Sequence, residues 1–306
     1  MRNWWGGTHR RPTWRKAGVH EGFRQVAVRP EHVERLNRHW GRVFVPKCGW
    51  VRFRWTRQIP DAKSYRVTCD RMGRWHVAFA HKPAMIDGPG TGETVGVDRG
   101  IANSATLSTG EHSHCPTPTD VRRAARKLSR AKRGSNGRRR AKRRVAVLQA
   151  RDADRRKDFV EKLSTDLARR FDVVRMEDLR VKSMTRSAKG TIDTPGCNVA
   201  QKAGLNRAIL ANGWGLLQRR TMDKIGDRLE LVPAAYTSID CSACGNRHRE
   251  QRESQARFRC RACNFVEHAD VNAALNIARG HRVTARGGIG YLTEPLNREP
   301  QLAASG

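Results

Sequence analysis

The chain has 306 residues, enough to bury a sizeable core, and that length favours about two domains. Its 61 Lys and Arg against 29 Asp and Glu leave a formal charge of +32, a self-repelling excess that a polyanion would neutralise, so nucleic acid is the expected partner. There is no long apolar run or basic membrane-lying helix, and no apolar stretch within "MRNWWGGTHRRPTW", which argues against a membrane partner and secretion and for the cytoplasm.

Residues 1 to about 85 hold seven of the eight tryptophans. In "WVRFRWTRQIP" Val51, Phe53 and Trp55 alternate with Arg52, Arg54 and later Arg57, which predicts a strand with one apolar and one basic face. "YRVTCDRMGRWHVAF" predicts a hairpin with Tyr65, Val67 and Cys69 facing Trp75, Val77 and Phe79 across a turn at Gly73. Together these suggest a small β-barrel or sheet module, ended by the Gly- and Pro-rich "MIDGPGTGE" at residues 85 to 93.

"TVGVDRGIANSATLSTGE" then reads as strand, tight turn and strand. Val95 and Val97 point one way and Asp98 the other. A lone Asp before Gly is most often a turn residue. From Arg122 to Arg144 thirteen basic residues stand with no acidic one, broken by "GSNG" into two expected helices. A solvated face normally mixes signs, so phosphate contact is the reading for Arg122, Arg123, Arg126, Lys127, Arg130, Lys132, Arg133, Arg138, Arg139, Arg140, Lys142 and Arg143. Phe159, Leu163, Leu167 and Phe171 follow four apart, an apolar stripe that needs only core packing to explain it.

"DVVRMEDL" is a short strand ending in Glu177 and Asp178. Strand neighbours face opposite ways, so periodicity leaves open which of the two faces a site. Residues 182 to 203 are polar and loop-like, "GLNRAILANGWGLLQRRTMDKIGDRL" is helical with a Gly-Trp-Gly interruption, and "LELVPAAYTS" is a strand. The stretch 287–306 reads as a disordered or loosely docked tail.

Cys241, Cys244, Cys260 and Cys263 have the spacing C-x2-C-x15-C-x2-C of a four-thiolate zinc site, while Cys48, Cys69, Cys115 and Cys197 are scattered. Four thiolates fill the coordination sphere, so this zinc is structural: it would fold a segment too small to fold alone. Asp270 precedes the helical "VNAALNIA", where an N-cap is the plain explanation. Asp98, Glu177 and Asp270, carried by strand, strand and helix, could instead hold two divalent ions about 3.5 to 4 Å apart for in-line phosphodiester cleavage. Oxygen-only ligation suits Mg²⁺ or Mn²⁺.

In order along the chain, "GVDRGI", "VVRMEDL", "YTSIDCSACG", "CRAC" and "HADVNAALNI" resemble the TnpB family, the OrfB-type proteins of bacterial insertion sequences related to type V CRISPR nucleases. The basic helices and "GLNRAILANGWGLL" are similar to family segments too, so the resemblance covers most of residues 40 to 280. It implies an α/β chain: a partial β-barrel wedge (OB-like) module at 1–90 and an RNase H-like (RuvC) nuclease domain at 91–233. A zinc-ribbon insert at 234–268, a RuvC C-terminal helix at 269–286 and the tail complete it.

By position Asp98, Glu177 and Asp270 match the family's three carboxylates, and Arg252 resembles an arginine that relatives place near the scissile phosphate. The implied activity is RNA-guided, metal-dependent cleavage of double-stranded DNA, with a guide from the transposon end. Relatives begin with a first wedge strand and a helical recognition domain, and Met1 falls where that region should be ending. The alternative is therefore a truncated nucleic-acid-binding remnant or regulator that does not cut.

Overall fold

The computed structural model describes residues 21–280 apart from Arg71 and Ile192, together with Gly6. The predicted tail at 287–306 lies outside these residues, as does the end of the 269–286 segment. Of the described residues, those up to Pro83 with Thr119–Arg151 form one unit, and Ala84–Pro118 with those from Asp152 onward form another.

In the first unit β1 (Gly22–Val26), β2 (Val33–Arg35), β3 (Trp40–Val45), β4 (Gly49–Arg54), β5 (Ser64–Cys69) and β6 (Trp75–Phe79) make two antiparallel sheets, ordered β1-β5-β6 and β2-β3-β4. The predicted hairpin has the expected register: Tyr65 opposes Phe79, Val67 opposes Val77, and Cys69 opposes Trp75. Gly73 supplies the turn at a φ of 81°, where a side chain would be strained. One core joins the sheets, built on Val43, Val45 and Tyr65 with Phe23, Phe53 and Phe79 packed around them. The Tyr65 hydroxyl crosses between the sheets to donate to Phe44 O at 2.9 Å.

The basic side of β3 and β4 is not bare charge. The Arg42 guanidinium lies 4.5 Å from the Trp50 ring centroid and that of Arg54 5.4 Å from Trp40, geometry in which a cation is drawn to the ring face.

Helix α1 (Val121–Arg130) starts at Asp120, whose carboxylate accepts from the Arg123 amide at 2.8 Å. The "GSNG" break is present, and α2 (Asn136–Arg170) follows it. The second basic helix and the apolar-stripe helix are one continuous element of 35 residues, because no Gly or Pro lies between Arg144 and Phe159 to interrupt it.

The second unit centres on a five-stranded sheet. Its members are β7 (Thr94–Asp98), β8 (Ala105–Leu107), β9 (His112–Ser113), β10 (Val173–Glu177) and a later strand, β11 (Leu229–Val232), in the order β11-β10-β7-β8-β9. β10 runs parallel to both β7 and β11, while β7, β8 and β9 are antiparallel. Between β10 and β11 come the one-turn α3 (Val181–Met184), α4 (Val199–Asn212) and α5 (Trp214–Ile225). The expected Gly-Trp-Gly interruption splits α4 from α5 at Gly213, whose φ is 71°. After β11 come the short pair β12 (Arg257–Arg259) and β13 (Val266–His268), then α6 (Ala269–Ala278).

Period-two alternation sorts the sheet into two faces. Val95, Val97, Val174 and Met176 pack with Leu163 and Leu167 of α2, with Phe171 just past its end, and with Leu217 and Ile225 of α5. The opposite face carries Gly96, Asp98, Arg175 and Glu177. There α6 lies directly on β7: a Cβ on Gly96 would sit 2.0 Å from Ala274 O and 2.4 Å from Ala278 N. Arg175 Nη1 donates to Ala278 O at 2.6 Å and closes the end of α6. No helix among the described residues is long and apolar enough to cross a membrane.

Both atoms facing Gly96 belong to helix backbone, so Gly96→Ala has no flexible side chain to displace. The substitution should lower stability by about 1–3 kcal/mol, measured as a shift in denaturation midpoint at unchanged slope.

Candidate functional site

Asp98 and Glu177 end the parallel neighbours β7 and β10, whose pairing brings Met176 opposite Val97. The register therefore sets the two carboxylates side by side on the face that α6 covers. Since α6 packs over Gly96 through its later turns, its first turn lies toward the Asp98 end of β7 and carries Asp270 there. Glu177 and Asp270 are buried and Asp98 is half-buried, whereas Asp178 is exposed.

Asp270 is not the helix N-cap. His268 is, accepting from the Asp270 amide at 3.2 Å. The Asp270 carboxylate is left for other work: Oδ1 receives Arg252 Nη2 at 3.0 Å and Oδ2 receives Asn103 Nδ2 at 3.1 Å. Other arginines of the same loop pair elsewhere, Arg257 and Arg259 with Glu253 and Arg261 with Glu250.

Burial, then the neighbouring Glu177 and Asp270 carboxylates, push the Asp98 carboxyl up to about 7, against the pull of the Arg252 guanidinium and the Arg99 amide. Burial also raises Glu177, opposed by a hydrogen bond from Thr237 and by the charge of Arg99. Arg99 is itself 3% exposed. It donates to Gln218 Oε1 at 3.0 Å, to Trp214 O at 3.4 Å and to Glu177 O, while its buried Nε has no hydrogen-bond partner.

The four cysteines converge. Their sulfurs all lie within 4.8 Å of one another, with Cys241 3.7 Å from Cys263 and Cys244 3.6 Å from Cys260. A disulfide needs about 2.05 Å. A zinc tetrahedron with Zn–S of about 2.3 Å has S···S edges of about 3.8 Å, so this cluster could bind zinc.

Each CxxC turns the same way. Gly245 N donates to Cys241 O at 2.8 Å and Asn264 N to Cys260 O at 3.1 Å, and Gly245 and Asn264 both have positive φ. Backbone amides of Ala262 and Cys263 point at Cys260 Sγ from 3.4 and 3.5 Å. Burial would raise the Cys260 thiol, yet these amides and the neighbouring thiols bring it down to about 7.

Sequence reasoning missed the links between these two clusters. Asn272 and Asn276, one turn apart on α6, are both buried. Both donate to Asp240 O, at 2.8 and 2.7 Å, Asn276 also donates to Thr237 O at 2.9 Å, and Asn272 Oδ1 accepts from Ser242 N at 2.9 Å. They clip the first knuckle to the helix of Asp270. The available signal was a pair of amides at i, i+4 in the otherwise apolar "VNAALNIA". Asn103, Thr237 and Arg99 had no comparable signal.

Of the twelve predicted phosphate-binding residues, Arg138 alone is half-buried; its Nη1 donates to Leu128 O and Ala131 O, at 3.0 Å each, and so caps α1. Arg122, Arg123, Arg126, Lys127, Arg130, Lys132, Arg133, Arg139, Arg140, Lys142 and Arg143 are exposed.

The knuckle core is small, Cys241, Phe258, Cys260 and Ala269 with Phe265 packed against it, so a bound metal would supply what apolar burial cannot. Cys260→Ser or chelation should remove one zinc per chain and open residues 241–268 to proteolysis and amide exchange, as zinc analysis and exchange mass spectrometry would show.

Residues 85–188 match the OrfB_IS605 family, described as "Probable transposase", and residues 218–277 match the family described as "Cas12f1-like, TNB domain". The chain is 35% identical over 300 residues to the "Putative RNA-guided DNA endonuclease InsQ" of Escherichia coli (strain K12), covering 94% of this chain and 73% of that protein. It is 33% identical over 274 residues to a Streptomyces pristinaespiralis protein with the description "Putative RNA-guided DNA endonuclease", covering 83% of this chain and 64% of the relative. A solved chain in the "Cryo-EM structure of the Cas12f1-sgRNA-target DNA complex" shares its fold at a TM-score of 0.50 and 14% identity, over 90% of this chain and 67% of that one. With a relative of that identity matched over most of its length, the chain belongs to the TnpB (OrfB_IS605) family.

Proposed function

We propose that this chain is a transposon-encoded, RNA-guided, metal-dependent DNA endonuclease, with an RNase H-like (RuvC) nuclease domain and a zinc-ribbon insert. The wedge segment would close toward a small barrel. One observation carries the proposal: Asp98, Glu177 and Asp270, far apart in sequence, meet in one partly buried place with Arg252 among them. Asp98 and Glu177 stand at the C-terminal ends of adjacent parallel strands, where open α/β sheets bind ligands, and Asp270 reaches them from the first turn of α6. Family membership and the relatives named above support the same activity.

The donor set fits hard divalent cations, since it offers carboxylate oxygens alone, and the Asp98 carboxyl is raised by burial and then by the neighbouring Glu177 and Asp270 charges, which a cation would offset. Asp98, Glu177 and Asp270 would hold Mg²⁺ or Mn²⁺, which when bound supplies an activated water and stabilises charge on the phosphate. Asp270, fixed on one oxygen by Arg252 and on the other by Asn103, is oriented before any ion arrives. The Arg252 guanidinium is part-exposed and would turn its free N–H groups to a phosphate oxygen. The exposed basic faces of α1 and α2 would follow the backbone of a guide RNA and its DNA duplex, leaving sequence to base pairing. Their charge is uncommitted, because among the described residues no ion pair involves residues 122–144.

To test this, the chain is co-expressed with its transposon-end locus, the bound RNA is sequenced, and matching double-stranded DNA is offered with Mg²⁺. Metal-dependent cuts are expected from the parent and none from Asp98→Ala, which should still retain its RNA. Cleavage by Asp98→Ala would overturn the active-site assignment. A folded, zinc-loaded chain without RNA or cutting would favour the non-cleaving remnant. For the basic helices, replacing Arg139, Lys142 and Arg143 together by Ala should flatten the log–log salt dependence of RNA binding by roughly 2, at about 0.7 per phosphate contact on single strands.

A further inference from the structure

Glu177 and Asp270 reach the carboxylate centre on different elements, and one residue touches the supports of both. Thr237, 2% exposed, lies between β11 and the first knuckle. Its hydroxyl is 2.6 Å from Glu177 Oε1 and 3.1 Å from Ala234 O. A hydroxyl has one proton, and a carboxylate is the stronger acceptor as well as the nearer, so that proton goes to Glu177. The Thr237 carbonyl accepts from Asn276, on the helix that carries Asp270. Asn276 shares its amide with Asp240 O, directly before Cys241.

A chain of short, buried hydrogen bonds therefore runs from the cysteine knuckle through Asn276 and Thr237 to Glu177. Resting on the proposal that Asp98, Glu177 and Asp270 hold divalent cations, we infer that Thr237 is a positioning residue for that centre. Its hydroxyl holds the Glu177 carboxylate in its ligating orientation, and its carbonyl ties that orientation to the knuckle and α6. Buried carboxylate ligands depend on such partners because an unconstrained carboxylate has several rotamers, only some of which present an oxygen to the ion.

The test is Mn²⁺ binding to the zinc-loaded full chain, read from the electron paramagnetic resonance signal of free Mn²⁺, for the parent, Thr237→Val and Thr237→Ser. The valine variant keeps the shape and loses the hydroxyl, and it should bind Mn²⁺ about tenfold or more weakly. The serine variant keeps the hydroxyl and should return close to the parent. Zinc content and melting temperature should stay at parental values in both, and the Mn²⁺ concentration needed for half-maximal cleavage should follow binding.

Parental Mn²⁺ binding by Thr237→Val would overturn the inference. Equal weakening in Val and Ser would overturn it too, by assigning the effect to packing. Should Thr237→Val not fold, Thr237→Ala against Thr237→Ser makes the same comparison; if neither hydroxyl-free variant folds, Thr237 is a structural residue and the inference fails. A parent that binds no Mn²⁺, with cleavage surviving Asp98→Ala, would remove the reading of the centre itself and this inference with it.

Discussion

The contact on which the second unit depends is the bare approach of one helix backbone to one strand. At Gly96 there is no side chain between β7 and α6, and nothing larger than hydrogen would fit between them. That approach fixes the height of α6 above the sheet and, through helix geometry, the place of every group on its first turns. Asp270 is delivered to the end of β7, and Asn272 and Asn276 are delivered to the first knuckle. A helix standing a side chain's thickness further off would leave the carboxylates on a sheet with no partner above it and the knuckle with nothing to grip.

Charge is handled in opposite ways in different parts of the chain. In the second unit several arginines are matched to acids: Arg170 to Glu111 and Asp166, Arg175 to Glu230, Arg220 to Glu161 and Asp223, Arg247 to Asp240. Such partly exposed pairs add little stability each, but they settle local geometry. At the centre the balance is inverted, with three carboxylates against two guanidiniums, and burial, then the Glu177 and Asp270 charges, drives the Asp98 carboxyl up to about 7. Between Arg122 and Arg144, along α1 and the start of α2, the sequence has no acid among the bases. Negative charge gathered on three buried or half-buried carboxylates and positive charge spread over exposed helical faces is the distribution the proposed reading calls for, with a polyanion held by the bases and cations held by the acids.

Much of this was legible in the sequence because it rests on local rules. Alternation gave the register of the β5–β6 hairpin and the two faces of β7; the "GSNG" and Gly-Trp-Gly interruptions ended helices where they should; the CxxC spacing announced the thiol cluster. The length of α2 was missed because two amphipathic patterns of different composition can share one uninterrupted backbone. The choice between Glu177 and Asp178 lay beyond periodicity, since it depends on which face of β10 is covered, and only the packing of α6 settles which side chain is buried. Residues that orient others were harder still. Thr237, Asn103 and Arg99 act through partners 60 to 167 positions away, 78 for Arg99 to Glu177, and no local pattern encodes a partner at that distance.

That separation also governs when the centre can exist. Asn103 and Asp270, 167 positions apart, meet only when α6 docks, and α6 is the last described element of the chain. Synthesis at about 5–20 residues per second puts roughly ten seconds or more between the strand that carries Asp98 and the helix that completes it. In the later part of that interval the nascent chain already carries its basic helices while the carboxylate pair of β7 and β10 lacks its third member. On the proposed reading, capacity to hold a polyanion precedes capacity to cut one, and the order is written into the chain by placing the closing helix after the knuckle that secures it.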